Sequence, residues 1–160
     1  MKKSFMLLVF LMMGILLVGC SNDASDSTPA KKVDESKVAT DKKPALVFFF
    51  TGVRNEGSRT QLVELQKHKK LFSKFPGAIY VVSSATDEQH KKLKNELQLD
   101  FKLVSDSKSK MIEKVKLVNK LGFAIFDKSG KVIYTEEVYT FGEEAEGIIY
   151  FAMQQVDDKK

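Results

Sequence analysis

The sequence predicts a three-layer α/β domain, a mixed central sheet with helices on both faces, and three observations predict it. From Ala45 onward, short apolar runs of strand length alternate with stretches of helical period. Early alternation of strand and helix implies right-handed crossovers between parallel strands. A late turn signal, Asp127-Lys128-Ser129-Gly130 between two apolar runs, adds an antiparallel hairpin at the sheet edge. About 110 residues of such pattern can bury one sheet.

Taken in order, Ala45 to Phe50 (ALVFFF) is a continuous apolar run, as a strand buried on both faces requires. A glycine-containing loop, Thr51 to Gly57, leads to a helix expected from Ser58 to Lys74, with Leu62, Leu65, Phe72 and Phe75 near one face. Ser58-Arg59-Thr60-Gln61 has capping-box spacing, so Ser58 is expected to cap that helix, and Pro76-Gly77 stops it. Ala78 to Val82 is the second buried strand. Thr86-Asp87-Glu88-Gln89 opens the next helix as a second capping box, with Leu93 and Leu97 inward. Phe101 to Val104 is extended, and Met111, Ile112 and Val115 suit a short helix. Gly122 to Phe126 and Lys131 to Tyr139 form the hairpin. Thr140 with Glu143 caps a final helix carrying Ile148, Ile149, Ala152 and Val156.

The segment before this domain reads differently. Lys2 and Lys3 precede an apolar run from Phe5 to Val18, followed by Gly19-Cys20 and a polar stretch. A cationic start, a dozen apolar residues and a small residue make a secretory signal; the run is short for a spanning helix. Leu17-Val18-Gly19-Cys20 resembles the lipobox of bacterial lipoproteins. That resemblance implies cleavage before Cys20, a diacylglyceryl group on its thiol, and an extracytoplasmic domain anchored in the membrane by two acyl chains. Residues 1–19 are then the signal peptide and 20–43 a lipidated tether too poor in apolar side chains to order. As a flexible coil the tether reaches roughly 25 to 30 Å. Residues 44–160 are the domain.

Composition narrows the chemistry. One cysteine and no tryptophan in 160 residues exclude internal disulfides, a CxxC pair and a thiolate zinc site. The net charge of +5 falls to +3 once Lys2 and Lys3 leave, and lysines spread along the chain read as solvated surface, so nucleic acid is not an expected partner. No phosphate loop or metal motif occurs, and no cofactor is expected. Glu136, Glu137, Glu143, Glu144 and Glu146 are acidic near the C-terminus without calcium-ligand spacing.

The element order resembles the thioredoxin fold, and three stretches resemble the peroxiredoxin branch, the alkyl hydroperoxide reductase and thiol-specific antioxidant family. They are Leu46 to Phe50 with Thr51-Gly52, Val81-Val82-Ser83-Ser84 with Phe101 to Asp106, and Ala124 to Val132. In that family a proline opens the active loop, a threonine or serine follows, and the peroxidatic cysteine sits in the first helical turn. The resemblance lays Thr51 on the proline, Asn55 on the threonine and Ser58 on the cysteine. Leu121 falls near the family's activating arginine and near the cis-proline of thioredoxins. A serine hydroxyl cannot run a sulfenic acid cycle. The expectation from sequence is therefore a domain that is not an enzyme. Serine hydrolysis would need His68 or His90 beside Ser58, and neither spacing favours it.

Both arginines of the chain, Arg54 and Arg59, fall at this loop and helix start. Arginine offers planar bidentate hydrogen bonding, and a helix N-terminus attracts anions. Arg54, Asn55, Gly57, Ser58 and Arg59 are thus a candidate site for a small anionic ligand or an envelope protein partner. The expected role is a membrane-anchored binding or accessory module. The alternatives are a non-catalytic component of a peroxide and thiol redox system, and a structural envelope lipoprotein.

Overall fold

The computed structural model describes residues 42–50, 52–118 and 121–157. Cys20, the tether before Lys42 and Thr51 lie outside them. The elements are β1 (Ala45–Phe50), α1 (Glu56–Lys67), α2 (Lys69–Phe72), β2 (Ala78–Ser83), α3 (Asp87–Leu97), β3 (Lys102–Ser105), α4 (Lys110–Lys114), β4 (Gly122–Phe126), β5 (Val132–Glu137) and α5 (Ala145–Asp157). They build a mixed five-stranded sheet of order β3-β2-β1-β4-β5. β1 pairs parallel with β2 and β2 with β3, while β4 runs antiparallel to both β1 and β5. This is the predicted architecture.

β1 takes the central place because it can be buried on both sides: every residue of ALVFFF is fully excluded from solvent. Alternation sends Leu46, Phe48 and Phe50 into one core with Leu62, Leu65, Phe72, Leu93 and Ile149. Ala45, Val47 and Phe49 enter a second with Met111, Ile112 and Val115. Helices cover both faces unequally: α1, α2, α3 and α5 pack on the first and the short α4 on the second. Two successive right-handed crossovers moving the same way across the sheet put α1 and α3 on one side.

Several local expectations change. The helix expected from Ser58 to Lys74 starts earlier, at Glu56, and breaks at His68, where α1 ends and α2 begins. The N-cap is Asn55, whose Oδ1 accepts the Ser58 amide at 2.6 Å, so Ser58 lies inside the first turn and does not cap it. At α3 the capping box holds: the Gln89 amide donates to Thr86 Oγ1 at 3.3 Å and the Thr86 amide to Gln89 Oε1 at 3.0 Å. Before α5 the reach-back comes from Glu144, which accepts the Tyr139 and Thr140 amides, in place of the expected Glu143.

Two glycines are sterically required. A Cβ on Gly77 would run into the Pro44 carbonyl, where β1 and β2 start side by side. One on Gly122 would meet the Glu136 carbonyl and Leu117. Among the described residues no helix is long and apolar enough to cross a membrane.

Candidate functional site

Register decides which loops meet. Phe50 at the end of β1 lies opposite Ser83, Ser83 opposite Ser105, and Phe49 opposite Gly122. The loop from β1 to α1, the start of α3 and the start of β4 therefore share one end of the sheet, the C-terminal end of its parallel strands. Ligands of open α/β sheets bind at such ends.

A cleft of about 380 Å³ opens there, lined by Val53, Arg54, Arg59, Gln89, Lys92, Leu93 and Glu96. Val53 and Leu93 are buried and form its floor. Around them stand three cations and one carboxylate. Arg59 donates to Glu96 at 2.9 Å, and Lys92 lies 3.9 Å from the same carboxylate. Arg54 is exposed at the rim. Four of the five candidate residues have a defined place: Arg54 and Arg59 line the cleft, Asn55 caps α1, and Ser58 follows as the third residue of the helix. Gly57 is exposed in the first turn, where a Cβ would meet only Asn55 Oδ1 at 3.6 Å, so its lack of a side chain is not demanded by packing.

Sequence reasoning missed Gln89, Lys92 and Glu96. They sit on α3, thirty or more positions along, and only the crossover brings them to Arg59. Their one signal was spacing: Lys92 and Glu96 are an i, i+4 pair, and Gln89 lies one helical turn before Lys92 on the same face.

The second missed feature lies just below. Ser83 Oγ and His90 Nε2 are hydrogen-bonded at 2.7 Å, and Ser83 Oγ also accepts the Ala85 amide at 3.2 Å. Ser83 is fully buried and His90 is 5% exposed, so this pair locks β2 to α3 and offers no nucleophile to solvent. His90 Nδ1 has no hydrogen-bond partner among the described residues. Ser58 pairs with neither histidine, so the hydrolase arrangement is not built.

Burial pushes the His90 imidazole below its ordinary value of 6.5, and Asp87, one turn earlier, offsets part of this. A depressed histidine contributes stability that is complete above the unfolded value and lost as pH falls from there toward the folded value. The midpoint of thermal unfolding is therefore expected to fall between pH 7 and pH 5, and to fall less in His90→Gln. Equal slopes for the two proteins would contradict this.

Among the described residues no group of three or more His, Cys, Asp or Glu side chains is placed to hold a metal ion. No described peptide bond is cis.

A mixed sheet of this order, with a helix starting straight after its central strand, defines the thioredoxin-like class. The solved structures that share it include peroxiredoxins. A bacterioferritin comigratory protein from Xanthomonas campestris, studied for alkyl peroxide reduction, aligns with a TM-score of 0.61 at 15% identity, over 71% of this chain and 81% of that one. AhpC from Enterococcus faecalis gives 0.62 at 14%, over 74% and 79%. A thioredoxin-like protein from Porphyromonas gingivalis gives 0.56 at 22%, over 75% and 80%. No curated protein sequence matches the chain. The AhpC/TSA family model matches residues 20–135, and the chain belongs to the AhpC/TSA family.

These findings correct the expectation of a domain that is not an enzyme: the chain belongs to the AhpC/TSA family, and the structures sharing its fold include peroxiredoxins, which are peroxidases. The inference drawn from Ser58 was too broad, since one substituted position describes one side chain and not the activity of a fold family. What stands is chemical and local. The first turn of α1 presents a serine hydroxyl, and residues 21–160 contain no cysteine.

Proposed function

We propose that this AhpC/TSA-family chain is a lipid-anchored, extracytoplasmic component of a peroxide and thiol redox system, and that its cleft docks an anionic group carried by a ligand or a partner. One observation carries the reading: Arg54, Arg59 and Lys92 converge on a cleft at the start of α1, and Glu96 is the one carboxylate among its lining residues. Arginine guanidinium groups match carboxylate, phosphate and sulfate oxygens in pairs. The position suits the family, because the cleft opens at the helix start where its members do their chemistry. The Cys20 lipobox supports the address, and the polar run after it supports a tether.

Sulfate titration tests the docking. Saturating sulfate is expected to raise the thermal midpoint by about 4 °C, since occupancy of a native-state site stabilises by mass action. The rise disappears in the Arg54→Ala, Arg59→Ala double variant. A rise of the same size in that variant would overturn the reading.

A further inference from the structure

One end of the sheet gathers exposed lysines. β1, β2 and β3 begin, and β4 ends, at the end away from the cleft: Ala45 lies opposite both Ala78 and Phe126, Tyr80 opposite Lys102, and Phe126 opposite Val132. Lys42, Lys43, Lys74, Lys102, Lys128 and Lys131 are all exposed there. A hollow lined by Pro44, Lys128, Ser129 and Val156 brings the entry of β1, the hairpin turn and the end of α5 together, so these lysines share one continuous end. The carboxylates nearby are largely engaged. Asp100 pairs with Lys69, and Asp127 Oδ1 accepts the Ser129 amide and hydroxyl and the Lys131 amide, holding its carboxyl below the usual range. Asp157 closes α5 on this side.

The cleft end is of mixed charge, with Arg54, Arg59 and Lys92 lining the cleft. Glu56, Asp87, Glu88, Glu137 and Glu143 are exposed there, at the starts of α1 and α3, the end of β5 and the approach to α5. The end where the chain enters at Lys42 is therefore the more uniformly cationic of the two.

We propose that the lysine end is a membrane-docking face that rests on anionic phospholipid headgroups and turns the cleft away from the bilayer. This rests on the anchoring reading given above. If residues 20–43 tie the domain to lipid, the face they enter is held within a few tens of ångströms of headgroups at high effective concentration. The cations are all lysines spread over a broad end, with no guanidinium fork, which suits diffuse attraction to a charged surface over recognition of one bound group.

The test uses the full chain mixed with vesicles of phosphatidylcholine alone, or of phosphatidylcholine with about one third phosphatidylglycerol, and reads amine acylation by mass spectrometry. On the anionic vesicles Lys74, Lys102, Lys128 and Lys131 are expected to react about fivefold more slowly than on neutral ones. Lys91 and Lys108, which lie away from this end, are unchanged. About 0.5 M salt removes the difference, and Lys128→Glu with Lys131→Glu weakens the protection at Lys74 and Lys102. A chain that sediments with both vesicle types but reacts equally on both overturns the docking face and leaves anchoring intact. A chain that sediments with neither overturns anchoring and docking together. Equal protection by soluble polyphosphate without vesicles overturns the assignment to lipid.

Discussion

Phe48→Ala is expected to cost about 4 kcal/mol of folding stability. Phe48 is fully buried at the middle of β1, with its ring edge-on to Phe72 of α2 and to Phe141 before α5, both at 4.9 Å. Truncation removes the transfer contribution of a large apolar side chain and two aromatic contacts, and leaves a cavity between elements that do not share a backbone. The neighbours cannot collapse easily, because β1 is pinned by hydrogen bonding to β2 on one side and β4 on the other. Against a total stability of about 5 to 15 kcal/mol the loss is large, and chemical denaturation would report it as a midpoint shift with little change of slope. Tyr150→Ala is the control: its side chain is 67% exposed on α5, and its loss is expected to change stability by less than about 0.5 kcal/mol. A Phe48→Ala loss below about 1.5 kcal/mol would show that β1 is not the packed centre of the domain.

Asp106→Ala is the second large effect, at about 3 kcal/mol. Asp106 is 2% exposed just after β3, and its Oδ2 accepts the amides of Met111 and Ile112, both at 2.9 Å. Its own amide donates to the Ser83 carbonyl at 2.8 Å. One carboxylate thus satisfies two orphan donors at the start of α4, the only helix on its face of the sheet among the described residues. Alanine leaves both N–H groups buried without an acceptor. Asparagine keeps an oxygen for them and is expected to cost about 1 kcal/mol, the charge-assisted part of the bonds. Amide exchange should separate the two: in the alanine variant protection is lost first at Met111 and Ile112. Equal stability of Asp106→Ala and the unsubstituted protein would contradict this account of α4.

The contrast between these two residues shows what a sequence discloses. Phe48 was legible, because an unbroken apolar run of strand length can only be satisfied by burial on both faces. Asp106 was not, because its partners depend on how the chain turns after β3. The same division runs through the rest. The Thr86 to Gln89 capping box and the Asp127 to Gly130 turn are local interactions, and both formed where the pattern placed them. The break at His68 was invisible, since the lysines around it favour helix and only packing of Phe72 against Phe48 redirects the chain. At α1 two capping side chains stood three residues apart, Asn55 and Ser58, and the exit of β1 favours the first.

The candidate site was half legible. Arg54 and Arg59 stood out because no other arginine occurs in the chain. Glu96, which holds Arg59, and Lys92 and Gln89, which complete the cleft, belong to a different helix and become neighbours only through the β1-α1-β2-α3 crossover. Their arrival alters the chemistry expected of Arg59. On the proposed docking, an anion shares this guanidinium with the Glu96 carboxylate, so Arg54 makes the first attraction and Arg59 exchanges partners. Glu96→Gln weakens that competition and is expected to tighten binding.

The central claim is that the cleft between α1 and α3 receives an anionic group, and mapping of backbone amide shifts during sulfate titration tests it most directly. The account predicts changes confined to residues 52–60 and 89–96, growing with occupancy to a single saturating midpoint, and a lower midpoint in Glu96→Gln. Changes that instead gather at Lys74, Lys128 and Lys131, or that rise without saturation over the whole surface, would contradict it.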